Sequence, residues 1–259
     1  MKVSCVIVSF NSEKWLHKAI ASVVAQNFDL HEIIIADDGS TDSSRDIIEA
    51  WASANSRVRG ILRESNLGTS ANRDLAIRDC QGDFVSTLDG DDYYYPDKIS
   101  SEAALVRAHG GQCVACSAFH WVDLEGRVLK IMDFEFLNAL SRVDQLSGFA
   151  LRAFPLPRDM LFSKKIYLES GGFDHKAALY EDWDFKLRLF RAGAIWKASN
   201  VPGLAWRRHP GGGSNTGPED HLYWTLATLY KNRDWLEKEL GRNLVKQAVV
   251  ARFAPFLPA

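Results

Sequence analysis

The chain has 259 residues, 46% hydrophobic and 25% charged, enough for one large α/β domain with a full core or for two small ones. Its formal net charge of −2 removes any general attraction to nucleic acid or to an anionic membrane. No apolar run is long enough to span a bilayer, and Val3–Ser9 is too short for a secretory signal, so the expected location is the cytoplasm.

Val3–Ser9 reads as a short buried strand. Ser12 reads as the N-cap of a helix carrying Trp15, Leu16, Ala19, Ile20, Val23 and Val24 at helical spacing. Residues 32–36 form the next strand, and Ile47, Ile48 and Trp51 mark the second helix. A third strand at Val58–Leu62, a third helix over about 70–79 and a fourth strand at 84–88 follow. This alternation predicts a parallel sheet, in which ligands bind beyond the carboxyl ends of the strands. Asp37-Asp38 and Asp89-Gly90-Asp91 both fall at such ends.

The second half is less regular. Pro96 opens a helix running to Ala108, and residues 112–122 and 128–132 flank a turn at Glu125-Gly126 as an antiparallel hairpin. Residues 134–154 are helical in part, and 160–162 form a short strand. A short helix then leads to the turn Gly171-Gly172-Phe173-Asp174, and residues 181–192 form a further helix. Residues 204–207 are expected as a strand, 210–218 as a glycine-rich lid and 220–240 as a helix. Cys113 and Cys116 have CxxC spacing but lie inside a strand, where positions three apart face opposite sides. With Cys5 and Cys80 they are expected as buried thiols.

Two carboxylates two residues apart at a strand end, Asp89 and Asp91, make a hard-oxygen site for a divalent cation that can hold nucleotide phosphates. The bland reading is an Asp-Gly turn, but three acids in four residues repel one another unless a cation or solvent screens them. Asp37-Asp38 before Gly39 suits recognition of a pyrimidine imide, although Ser40, Thr41 and Asp42 also suit a helix start. Glu181-Asp182 opens a helix. Dipole complementation explains the pair as well as a general base with raised pKa does. Arg207-Arg208-His209 reads either as a phosphate or metal contact or as a solvated turn, and 66–70 as an anion-friendly helix start or an ordinary cap. No GxGxxG follows the first strand and no GxxxxGK[ST] is present, which argues against dehydrogenases and P-loop enzymes.

The ordered set of motifs from Val3 to Pro210 resembles the family 2 glycosyltransferases. The resemblance implies a GT-A-like α/β fold, a Rossmann-like parallel sheet with a mixed, partly antiparallel second half. It implies a catalytic domain over 1–218, with a nucleotide-binding half to about 110 and an acceptor half to 218, and a helical extension over 219–259. By that match Val8 and Phe10 lie beside the nucleoside, Asp38, or less readily Asp37, reads its base, and Asn66, Gly68 and Arg73 close over it. Asp89, Gly90 and Asp91 form the DxD, with Asp91, Asp89 and the late ligand His209 on Mn²⁺ or Mg²⁺. Asp182 becomes the catalytic base, with Glu181 and Trp183 on the acceptor side.

The implied activity is inverting and metal-dependent. It moves a sugar from a nucleoside-diphosphate sugar, UDP-sugar favoured, to a glycan, lipid-linked or other hydroxyl acceptor in polysaccharide or glycoconjugate assembly. No nucleic-acid partner is expected, and the resemblance leaves room for a homodimer and a peripheral contact at the inner face of a membrane. The absence of a QxxRW motif argues against a processive synthase. Two other classes compete: a nucleotidyltransferase, disfavoured by Phe10-Asn11-Ser12-Glu13 where a basic phosphate loop is wanted, and a non-catalytic sugar-nucleotide or glycan-binding module.

Overall fold

The structure, a computed structural model, describes residues 1–209 and 217–253. Most of the expected glycine-rich lid (210–216) and of the apolar tail (254–258) lies outside the described residues.

Four parallel strands form the first half of the sheet: β1 (Val3–Ser9), β2 (Glu32–Asp37), β3 (Val58–Leu62) and β4 (Phe84–Asp89), in the order β3-β2-β1-β4. They are joined by α1 (Leu16–Val24), α2 (Ser44–Ala54) and α3 (Thr69–Asp79). All of β1 and β2 is buried, as continuous apolar strands between two covered faces require. Register places Ser9 beside Asp37 and Val8 beside Asp89, so the two acidic strand ends stand level at one edge.

Helix α1 starts later than the N-cap at Ser12 predicts. Trp15 is the cap residue, and Ser12 heads the preceding turn: its carbonyl accepts from Trp15 N and Leu16 N at 2.9 Å. The backbone N–H of Ser12 donates to Ser44 Oγ at 2.9 Å. That long-range bond to α2 overrides the local capping preference.

The second half adds β5 (Tyr93–Tyr94), α4 (Lys98–His109), β6 (Cys113–Val122), β7 (Val128–Met132), a 3₁₀ turn (Glu135–Ala139) and α5 (Arg142–Leu151). It continues with β8 (Leu161–Ser163), α6 (Lys164–Glu169), α7 (Glu181–Arg191) and β9 (Ile195–Arg207), then α8 (Pro218–Leu240) and α9 (Arg242–Phe253). The sheet continues from β4 through antiparallel β8 to β6, β9 and β5, with β7 antiparallel on β6. The strand expected over 204–207 in fact begins at Ile195. Pro202 hides its first part from sequence pattern, because proline cannot donate to a ladder. The fold accommodates it at a bulge, where Ser117, Ala118 and Phe119 of β6 pair with Ser199, Pro202 and Leu204.

The core of this half is aromatic. Trp183 and Trp196 are fully buried, and Trp196 packs against Phe149 and Phe190. All four cysteines are free and buried. Among the described residues no helix is long and apolar enough to cross a membrane.

Candidate functional site

The sheet edge where β1, β2 and β4 end carries the expected nucleotide motifs. Asp37 is spent on local structure: Ser40 N and Arg45 Nε donate to its Oδ2 at 3.0 and 3.1 Å, and the Ser40 hydroxyl donates to Oδ1. Asp38 reaches across to the loop before α3 and accepts from Leu67 N at 2.8 Å and Gly68 N at 2.9 Å. Asn66 Oδ1 accepts from the same Gly68 N–H at 3.0 Å. The expected caps Thr69 and Ser70 make no cap bond, because Gly68 is the cap residue at φ +88°. Val8 is buried and its carbonyl accepts from Gly90 N at 2.8 Å, whereas Phe10 lies half exposed at the strand mouth. A Cβ on Gly90 would sit 3.0 Å from that carbonyl, a tight approach.

Asp89, Asp91 and Asp92 bring carboxylate oxygens within 4.8 Å of one another. Asp89 is gripped on both oxygens: Arg73 Nη2 of α3 donates to Oδ1 and Arg158 Nη2 to Oδ2 at 2.8 Å. Asp91 Oδ2 lies 2.8 Å from His209 Nε2, and the His209 ring packs 4.3 Å from that of Trp15. The buried Asp92 receives Arg207 N on Oδ1 at 2.7 Å, while its Oδ2 has no hydrogen-bond partner. Burial pushes its pKa well up. Arg158 opposes that rise, and the charges of Asp91 and Asp89 add to it. Three hard oxygens, one of them orphaned and buried, are a donor set that fits a divalent cation.

Arg207 turns inward. It is buried, and its Nε and Nη1 donate to the carbonyls of Asp91 and Leu124, both at 3.0 Å, which ties β9 to the acidic loop.

Glu181 and Asp182 begin α7 behind Tyr180, a left-handed cap residue at φ +60°. Arg73 Nη1 is 3.9 Å from Glu181 Oε1, so one guanidinium touches both the acidic loop and α7. The raised pKa expected at Asp182 falls on its neighbour instead. Burial, reinforced by the Asp182 charge, lifts Glu181 to about 7. Burial also acts on Asp182, but Lys186 Nζ, 2.5 Å from Oδ2 and one turn along the helix, outweighs it with Arg158 and Arg152 and holds Asp182 at about 2. Trp183 does not face an acceptor. It is fully buried and its Nε1–H donates to Phe149 O at 2.8 Å, because its side of α7 packs on the core.

Arg158, Lys186 and Trp15 were not singled out by the sequence. Arg158 lies in an irregular segment, and Lys186 in an i,i+4 pattern common on solvated helices. Only Asp182–Lys186 left a readable trace, an acid four residues before a lysine.

The chain matches the family model described as glycosyl transferase family 2 over residues 4–167. It is 31% identical over 136 residues to an uncharacterized glycosyltransferase of Haemophilus influenzae, covering 50% of this chain and 52% of that protein. It is 42% identical over 119 residues to the cholesterol galactosyltransferase of Borreliella burgdorferi, covering 46% of this chain and 33% of that protein. The chain thus spans about half or less of the length of these two relatives. Its fold superposes on the crystal structure of S. aureus TarS 1-349 in complex with UDP-GlcNAc with a TM-score of 0.78 and 19% identity, covering 98% of this chain and 73% of that one. At that identity the likeness bears on the fold, which is the expected GT-A-like one.

Proposed function

Because this chain belongs to glycosyl transferase family 2, we propose that it transfers a sugar, with inversion, from a nucleoside-diphosphate sugar to an acceptor hydroxyl. The observation that carries the reading is the convergence at one sheet edge of the Asp89–Asp91–Asp92 triad and the Glu181–Asp182 pair, joined through Arg73. A UDP-sugar is favoured, since the neighbouring TarS structures hold UDP-GlcNAc and UDP.

In this reading Val8, Phe10 and Asp38 flank the base, and Asn66, Gly68 and Arg73 enclose the nucleoside. Asp91 and Asp89, with His209, hold Mn²⁺ or Mg²⁺. When bound, such an ion offsets the charge of the departing diphosphate. Asp182 takes the proton of the acceptor hydroxyl as that oxygen attacks the anomeric carbon. Lys186 keeps Asp182 ionised and ready to accept. A weak base suffices here, because the attacking hydroxyl becomes strongly acidic once its bond to carbon forms. Residues 1–218 carry both halves of this chemistry, with α8 packed on α7 and α9 packed on α8 and α5.

The test is thermal-shift binding of UDP, dTDP, GDP and CDP, with and without Mn²⁺, on wild type, Asp91→Asn and Asp182→Asn. One nucleotide stabilises wild type only with metal, Asp91→Asn loses that response and Asp182→Asn keeps it. With an accepted donor and acceptor, turnover of Asp182→Asn falls by about 10²–10⁴-fold. Silence toward every nucleotide would overturn the reading in favour of a module with a degenerate site.

A further inference from the structure

Both oxygens of Asp89 are already engaged by guanidinium groups. Arg73 holds one and Arg158 the other. The same Nη2 of Arg158 that donates to Asp89 at 2.8 Å stands 3.6 Å from Asp92 Oδ2. One guanidinium therefore bridges two of the three carboxylates of the triad.

Arg158 is fixed from both sides. Its guanidinium carbon lies 4.5 Å from the ring centroid of Trp206 on β9. The next residue, Asp159, is held at φ +47°, and its carbonyl accepts from the buried Lys98 Nζ at 2.6 Å. Neither Arg158 Nε nor Asp92 Oδ2 has a hydrogen-bond partner, and both are buried. The bridge thus balances charge without satisfying every polar atom, as expected of groups that await a ligand.

Resting on the triad as the cation site, we propose that Arg158 is its built-in counter-cation. It stands in for the divalent ion while nucleotide is absent and keeps the bare ion weakly bound. An incoming ion meets a positive charge already hydrogen-bonded to Asp89 and 3.6 Å from Asp92 Oδ2. A nucleoside diphosphate brings negative charge that can engage both the ion and the guanidinium. Cation and nucleotide therefore bind together, each strengthening the other.

The experiment is Mn²⁺ binding to the full chain, read as loss of the free-ion electron paramagnetic resonance signal, for wild type and Arg158→Met, with and without UDP. Without UDP, Arg158→Met binds Mn²⁺ at least tenfold more tightly than wild type, and UDP narrows or reverses that gap. Equal or weaker binding in the variant without UDP overturns the proposal. Should Arg158→Met not fold, the ¹⁵N resonance of the wild-type Arg158 Nε–H during a Mg²⁺ titration replaces it, with the assignment confirmed by Arg158→Lys. A shift that tracks the cation supports displacement of the guanidinium, and an unmoved resonance at saturation overturns it. Nucleotide-dependent Mn²⁺ binding in wild type, with Arg158→Met matching wild type, removes the counter-cation role alone. No Mn²⁺ binding under any condition removes the cation site and both readings with it.

Discussion

Glu181 and Asp182 are adjacent carboxylates driven in opposite directions by their surroundings. Adjacent acids whose pKa values are pushed apart divide their roles. The Glu181 side chain is 21% exposed, and its carboxyl rises from 4.5 to about 7 on folding. A carboxyl raised on folding favours the native state fully below its unfolded pKa and loses that contribution as pH rises through the folded one. Glu181→Gln, which mimics the neutral form, should match wild-type stability near pH 4.5. At pH 8 it should exceed wild type by about 1–3 kcal/mol. Melting curves at the two pH values check this, and a difference that does not change with pH would contradict it. Asp182 behaves in the reverse sense, ionised across the working range because Lys186 stays beside it. The sequence showed the Glu-Asp pair but assigned the raised pKa to the wrong member. Only the fold decides that Lys186 is buried and has Asp182 at 2.5 Å.

The turn before α7 shows how an element is aimed. Gly172 sits at φ +72°, and a Cβ there would collide with Asp74 Oδ1 while lying 2.9 Å from Arg78 Nη2 and 3.0 Å from Tyr167 Oη. Those atoms belong to one network: Tyr167 Oη donates to Asp74 Oδ1 at 2.5 Å, and His175 Nε2 lies 2.8 Å from Asp74 Oδ2. Through this dock on α3, the turn delivers α7 beside Arg73. Gly172→Ala should cost about 1–3 kcal/mol, from left-handed strain alone, measurable by urea unfolding. Transfer should fall further than nucleotide binding, since the displaced element carries the proposed base Asp182. Gly39 plays the equivalent part under the loop before α3, at φ +80° with its Cβ position 2.9 Å from Asn66 N. Gly172 was legible as part of a turn. The reason that no other residue fits lies in atoms far along the chain.

At the scale of the whole molecule, α8 is a brace. Asp184 of α7 is buried and receives Arg188 Nε at 2.8 Å, then Lys231 Nζ and Asn232 Nδ2 of α8, both at 2.9 Å. Asn232→Leu leaves one Asp184 oxygen without its donor and should cost about 1–3 kcal/mol. UDP-dependent stabilisation should persist, because the proposed nucleotide edge is built on β1, β2 and β4. Thermal melts with and without UDP and Mn²⁺ separate the two effects, and loss of the nucleotide response would show that the brace reaches the donor site.

The sequence by itself determined the parallel half of the sheet and the acidic strand ends, because apolar runs, helical spacing and turn residues are local signals. It also carried the family resemblance, in motifs that stand in order along the chain. Tertiary structure alone decided the length of β9, which sequence pattern loses at Pro202 and the sheet recovers through pairing with β6. It alone buried Trp183 in the core and turned Arg207 onto the backbone of the acidic loop. It alone set Arg158 between Asp89 and Asp92. The physical reason is common to these cases. A charge or an indole is defined by what surrounds it, and those neighbours come from elements distant in the chain.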